Sequence, residues 1–338
     1  MQKAIQLELT TIPPYLAAFF SIKPETNTLV ANIIRSVFME EMLHICLAGN
    51  ILVSLGGHVK LGPDNIPDYP VIMGFKGREF PIELARLSKK TIHMFRRIEL
   101  PDDLPALEKF VDLEEDVKIE GYSIGDFYNH IRDNLRTLNQ AYIDEGKKLF
   151  NKDTSNQITE TYFWGARGKP IAVIDMESAE RALTEIIDQG EGGTCTIFEE
   201  NLNDCELPPE PSHFFKFSEI YYQQRYQLDD KPNKPPTGVK FPVDYDDVYP
   251  IKSNCKQKDF EKNPELAALN IEFNQKYTLM LQQIEEAFAG NPKALYTSIM
   301  NGMHGLTPIA QSMVCLKIDP SNPKSETGCP SFEWVEPI

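Results

Sequence analysis

Residues 39–50 read MEEMLHICLAGN. Glu41 and His44 stand three apart, so on a helix their side chains project side by side. Val30, Ile34, Val37, Ala48 and Leu55 continue the same stripe at helical spacing, and such a stripe is the face a helix turns toward a core. An acid and an imidazole are therefore both directed inward. A buried charge without a partner is too costly to keep, and a metal ion is one partner that attracts carboxylate oxygen and imidazole nitrogen together. The simpler alternative is a core histidine bonded to a carbonyl, beside a glutamate that reaches water.

Working outward, the helix that carries this stretch should run from about residue 27 to 55 and stop at Gly56-Gly57, a C-terminal cap. A first helix is expected over about 2 to 20, antiparallel to it across the turn SIKPETN. There Glu8 shares a face with Ala4, Ile5, Ile12, Tyr15 and Phe19. A first-turn glutamate favoured by the helix dipole would explain Glu8 alone. Pro13 and Pro14 follow and cannot donate to the carbonyls of Leu9 and Thr10, so a bend is expected there. Further helices are expected at about 82–97, 105–117 and 124–150, over MESAERALTEIIDQGEGG and over PPEPSHFFKFSEIYYQQRY, with prolines at its start, and as a last pair at 265–289 and 292–316. Residues 58–81 read as a loop with room for short strands, and 228–264, rich in proline, as an irregular connection.

Glu210 and His213 repeat the three-residue spacing, with Phe217 and Ile220 extending their face. Pro211 lies between them, so that helix should begin at or just before Glu210. Between the two pairs, Glu191 falls on the apolar stripe of Leu183 and Ile187, while Glu185 shares its face with Arg181, Asp188 and Gln189; Glu191 is preferred, with Glu185 or Asp126 in reserve. The order is then Glu, Glu-x-x-His, Glu, Glu-x-x-His, the ligand set of bundles that hold two iron or manganese ions. The expected metal ligands are Glu8, Glu41, His44, Glu191, Glu210 and His213. Four carboxylates and two imidazoles can neutralise two divalent ions and leave positions for O2 and a substrate, which suits oxidation better than hydrolysis.

Net charge is −16, from 34 basic and 50 acidic residues, and no Lys/Arg run provides the phosphate-neutralising surface that nucleic acids or anionic membranes require. No 18 apolar residues run uninterrupted and no leader stands at the N-terminus, so a soluble, cytoplasmic chain without a membrane span is expected. Cys46, Cys195, Cys205, Cys255, Cys315 and Cys329 contain no CxxC pair and read as reduced thiols. The GEGG run ends a helix and does not open one after a strand, so no nucleotide site is expected. Asp126 and His130 read as a capping acid and a surface histidine; His304, near Met300 and Met303, reads as packing. Tyr15, Phe19, Phe214 and Phe217 can wall a pocket for an aromatic or lipid-like molecule or simply fill a core.

The stretches LELTTIPPYL, EEMLHICLAGNIL, SIGDFYNHI, SAERALTEIIDQGEGG, SHFFKFSEI, FNQKYTLMLQQIEEAF and GCPSFEWV, spread over nearly the whole chain, resemble the ferritin-like family that includes the iminophenyl-pyruvate dimer synthases of bisindole pigment pathways. The resemblance implies a mainly α fold: a ferritin-like four-helix bundle with additional helices and long irregular loops. It places the bundle at 1–225, with an insertion at about 58–170, and an irregular connection and C-terminal helical pair packed on it at 226–338. It also implies a non-haem di-metal oxidase or oxygenase that uses O2 on a small organic substrate, with oxidative coupling of two α-imino acids as the version known in the family. The expected cofactor is two iron ions, with manganese the other suitable metal and haem less favoured. The chain opens almost at the first bundle helix, so a large N-terminal region like that of the pigment enzymes is expected to be absent. The competing expectation is an iron-handling bundle without an organic substrate.

Overall fold

The computed structural model describes residues 1–73, 79–101, 124–163, 165–190, 196–199, 208–298 and 304–336. The helix expected at 105–117 lies outside them. Among the described residues the fold is mainly α. The helices are α1 Gln2–Phe20, α2 Thr28–Ser54, α3 Lys89–Ile98, α4 Ile124–Asp144, α5 Met176–Gly190, α6 His213–Tyr222, α7 Pro264–Phe288, α8 Lys293–Thr297 and α9 His304–Cys315. One antiparallel hairpin, β1 Val71–Met73 and β2 Phe80–Ile82, stands in the loop after α2.

The longest helix, α2, lies at the centre and packs against α1, α5, α6 and α7. Its length and composition would suffice for a membrane span, but 78% of its most apolar window is buried inside the protein. Gly56 ends it in a left-handed conformation, and the amides of Gly56 and Gly57 close on the carbonyls of Val53 and Leu52. Gly49 faces the ring of Phe288, which occupies the space a Cβ would need, and this brings α7 onto α2. On the other flank α3 packs on α6, where the guanidinium of Arg96 lies 4.4 Å from the ring centre of Tyr221 and Arg96 Nε donates to Ser218.

Several boundaries differ from the expectations, among them the end of α6 at Tyr222, where Gln223 takes a left-handed conformation. The α3 helix begins at Lys89, because Ser88 accepts from the amide of Thr91 and caps it. The α4 helix stops at Asp144, because Gly146 takes a positive φ and the amide of Lys147 reaches back to Tyr142. The α6 helix begins at His213, after extended backbone in which Pro211 pairs with Phe198. In α1 the helical conformation runs through both prolines. Thr10, whose carbonyl Pro14 leaves without an amide, accepts the Tyr69 hydroxyl at 2.7 Å.

Candidate metal centre

Four of the expected ligands meet at the centre of the bundle. Glu8 comes from α1, Glu41 and His44 from α2, and His213 from the first turn of α6. A fifth group, Glu99, joins them from the residue that follows α3. All five are at most 3% exposed. Glu41 lies in the middle: its Oε1 is 3.0 Å from Nδ1 of His213 and its Oε2 is 3.4 Å from Nδ1 of His44. Glu8 Oε2 is 3.5 Å from the same His44 nitrogen, and Glu99 Oε2 is 3.5 Å from that of His213. The two rings lie nearly parallel, 5.5 Å apart. The result is two half-sites of similar build, each with one outer glutamate and one imidazole, sharing Glu41.

The other atoms of these side chains are held from behind. Tyr128 donates to Glu8 Oε1 and Tyr15 donates to Glu99 Oε1, which leaves Oε2 of each glutamate directed at the centre. Tyr15 is fixed in a buried cluster with Phe95 and Phe217, at ring distances of 4.6 and 5.1 Å. His44 Nε2 lies 3.1 Å from Gln189 Oε1. The Gln189 amide nitrogen is committed to Glu185 and to the Arg167 carbonyl, both at 3.1 Å, so its oxygen must face the imidazole and Nε2 must carry the hydrogen. His213 Nε2 lies 2.9 Å from Glu40 Oε2. Glu40 in turn accepts from Lys216 Nζ at 2.7 and 2.9 Å. Both Nδ1 atoms are therefore free to face the carboxylates.

Burial, then the charges of Glu99 and Glu8, make Glu41 hard to ionise and push it up to about 8. Burial favours neutral His44, but the hydrogen bonds and charges of Glu41 and Glu8 outweigh it and push it up to about 10. Burial likewise opposes the charged form of His213, yet its acidic neighbours raise its pKa well above the ordinary value. Glu8 ends below the usual range, because His44, Glu41 and Tyr128 more than offset its burial. Glu40 is held down at about 2 against its own burial, chiefly by Lys216.

These residues fit a metal. His213 Nδ1 is fully buried and lacks an aligned hydrogen-bond acceptor, although a carboxylate oxygen lies 3.0 Å away; a cation between them would satisfy both groups. The donors are oxygen and imidazole nitrogen, the set that suits iron and manganese. The space beside Glu8, Glu41, His44 and Glu99 is about 10 Å³, room for an ion or a water. A larger cavity of about 60 Å³, lined by Leu9, Ile12, Met39, Cys46 and Leu281, presents only apolar surface.

The remaining candidates lie elsewhere. Glu191 is outside the described residues, as are Met300 and Met303. Glu210 does not join the centre. It precedes α6 in extended backbone, so the helical spacing to His213 is lost, and its carboxylate faces Lys216 at 3.2 Å and Arg167 at 3.5 Å. With Glu40 and Glu199 it forms a third acidic group, one already matched by Lys216 and Arg167. Glu185, expected on a polar face, is buried and accepts from Gln189, which contacts His44. Asp126 lies in the first turn of α4, and His130 and His304 are exposed. Phe214 packs with Phe215 away from the centre, and Phe19 packs with Phe20 and Phe38.

A helical bundle with carboxylates and histidines gathered between its helices defines a class of proteins able to hold metal in the core. A family model for Ferritin-like proteins matches residues 1–222, and the chain belongs to that family. Over 328 residues it is 24% identical to dichlorochromopyrrolate synthase of Lentzea aerocolonigenes; the match covers 89% of this chain and 29% of that enzyme. This chain thus corresponds to under a third of its relative's length. The fold is also that of a ferritin-like protein from Caulobacter vibrioides, with a TM-score of 0.56, 22% identity and 92% coverage of both chains.

Proposed function

We propose that the protein is a non-haem di-metal oxidase or oxygenase that uses O2 on a small organic substrate. The observation that carries this reading is the pair of buried imidazoles, each presenting Nδ1 to the same glutamate. When bound, two iron or manganese ions at such a site supply electrons to O2. In this reading Glu8 and His44 hold one ion, Glu99 and His213 the other, and Glu41 both. Three carboxylates offset most of the charge of two divalent ions. Tyr128 and Tyr15 keep the outer carboxylates pointed inward, and Gln189 and Glu40 keep the hydrogen of each imidazole on Nε2. The surrounding apolar helices exclude bulk water, which strengthens every one of these interactions.

The distant likeness to a biosynthetic synthase, together with the resemblance to the imino-acid-coupling enzymes, supports oxidative coupling of two α-imino acids as the specific reaction. Two C–H bonds are lost and one C–C bond forms; the two electrons and two protons pass to O2, which leaves as hydrogen peroxide. Metal analysis of protein purified without chelator tests the reading, with about two iron or manganese ions per chain expected and lost together in Glu41→Ala. Substrate-dependent O2 uptake is then measured with aromatic α-imino acids generated in place by an amino-acid oxidase. Metal without such uptake would favour the iron-handling bundle, and a metal-free protein indifferent to Glu41→Ala would sink both.

A further inference from the structure

The two half-sites match at the centre and differ behind it. His44 rests on a neutral amide, Gln189 Oε1, at 3.1 Å. His213 rests on a full carboxylate, Glu40 Oε2, at 2.9 Å. A carboxylate that accepts the outer hydrogen of an imidazole raises the electron density on its other nitrogen and makes it a stronger metal ligand, whereas an amide does so less. Glu40 remains a carboxylate in the core because Lys216, only 3% exposed, donates to both of its oxygens. Glu199 and Glu210 complete the surroundings of that ammonium, at 3.6 and 3.2 Å, and Arg167 pairs with both acids. Such an arrangement is expensive to bury, and Gln189 shows that a neutral partner can orient a histidine here equally well. Orientation alone therefore does not account for Glu40.

From this difference, and resting on the di-metal reading above, we infer that the half-sites are unequal and fill in order: the first ion binds at Glu41, Glu99 and His213, and the second at Glu8 and His44. Glu40 and Lys216 are positioning residues for the first ion. The protein so built holds one ion firmly when metal is scarce and gains the second only when metal is plentiful.

Anaerobic Mn(II) titration of the metal-stripped full chain, followed by calorimetry and electron paramagnetic resonance, tests the order. Two steps are expected, the first at least about 10-fold tighter, with the six-line signal of an isolated ion at one equivalent and a broadened, coupled signal at two. Glu40→Gln gives His213 the same kind of partner as His44; the tight step should weaken about 10- to 100-fold and merge with the other. Glu99→Gln should remove the tight step and Glu8→Gln the weak one. Because Glu40→Gln leaves Lys216 buried with less compensation, the double variant Glu40→Gln, Lys216→Met repeats the measurement with charge balanced, and circular dichroism reports folding. Equal steps in the unaltered protein, or loss of the tight step in Glu8→Gln, would overturn the order while leaving the di-metal reading intact. Absence of any Mn(II), Co(II) or Fe(II) binding would overturn both.

Discussion

Tyr15 and Tyr128 show how much of the centre depends on groups that would not touch a metal. Each hydroxyl donates to one oxygen of an outer glutamate. Tyr15→Phe leaves that oxygen of Glu99 buried without a donor, a loss of about 1–3 kcal/mol, readable as a lower urea midpoint of the metal-free protein. The protonation states give a second expectation. Glu41 is raised from 4.5 to about 8 and His44 from 6.5 to about 10, so the folded chain holds protons that the unfolded chain releases. Their stabilisation is complete below the unfolded values and is lost as pH rises through the folded ones. Metal must displace the same protons, so its affinity rises with pH. Thermal midpoints measured from pH 6 to 9.5 should fall for metal-free protein and hold for Mn(II)-loaded protein. Glu8, Glu41 and His44 were legible because each acid or imidazole interrupts an apolar stripe. Glu99 carries a similar mark, lying on the stripe of Ile92 and Phe95, but it stands past the expected helix end, where the dipole disfavours an acid. Glu40 and Gln189 carried no such mark, since their partners lie far away in sequence.

At the level of the element, α1 tolerates two prolines because a side chain elsewhere accepts the consequence. Tyr69→Phe removes the donor to the Thr10 carbonyl and should cost about 1–3 kcal/mol. In a Pro14→Ala background that carbonyl can regain a backbone amide, so the cost of Tyr69→Phe should shrink. A double-mutant cycle by urea denaturation measures the difference, and additive losses would contradict this account. Gly49→Val places a side chain into the ring of Phe288 and should lower stability by about 1–3 kcal/mol through the α2–α7 contact, with metal content unchanged. Among the described residues, helix existence was legible from apolar period. The ends that escaped were set by local devices: the Ser88 cap, the left-handed Gly146, and the Phe198–Pro211 pairing that delays α6 to His213. That last device separates Glu210 from the centre, because the spacing argument held only for a helix that had already begun.

For the whole molecule, the family match ends at residue 222, yet α7 and α9 pack on α2 and α1. Leu9, Ile12, Met39 and Leu281 meet across that boundary. A chain cut after residue 225 should therefore expose an apolar face and appear in the insoluble fraction, whereas a soluble, metal-binding fragment would show the bundle to be self-sufficient. Thiol chemistry reports the same compactness. Cys315 is exposed while Cys46, Cys255 and Cys329 are buried, with burial pushing Cys46 and Cys255 up to about 12. Among these four, native alkylation should label Cys315 first. The centre itself draws on positions 8, 41, 44, 99 and 213, and this spread has a bearing on how the protein is made. At about 5–20 residues per second, His213 leaves the ribosome roughly 10–40 s after Glu8. A nascent chain can fold α1 against α2 early and present one glutamate pair with one histidine to the cell, but Glu99 and then the second imidazole arrive later. Completion of the centre thus waits on translation, and any metal it takes would be the one at hand when α6 docks.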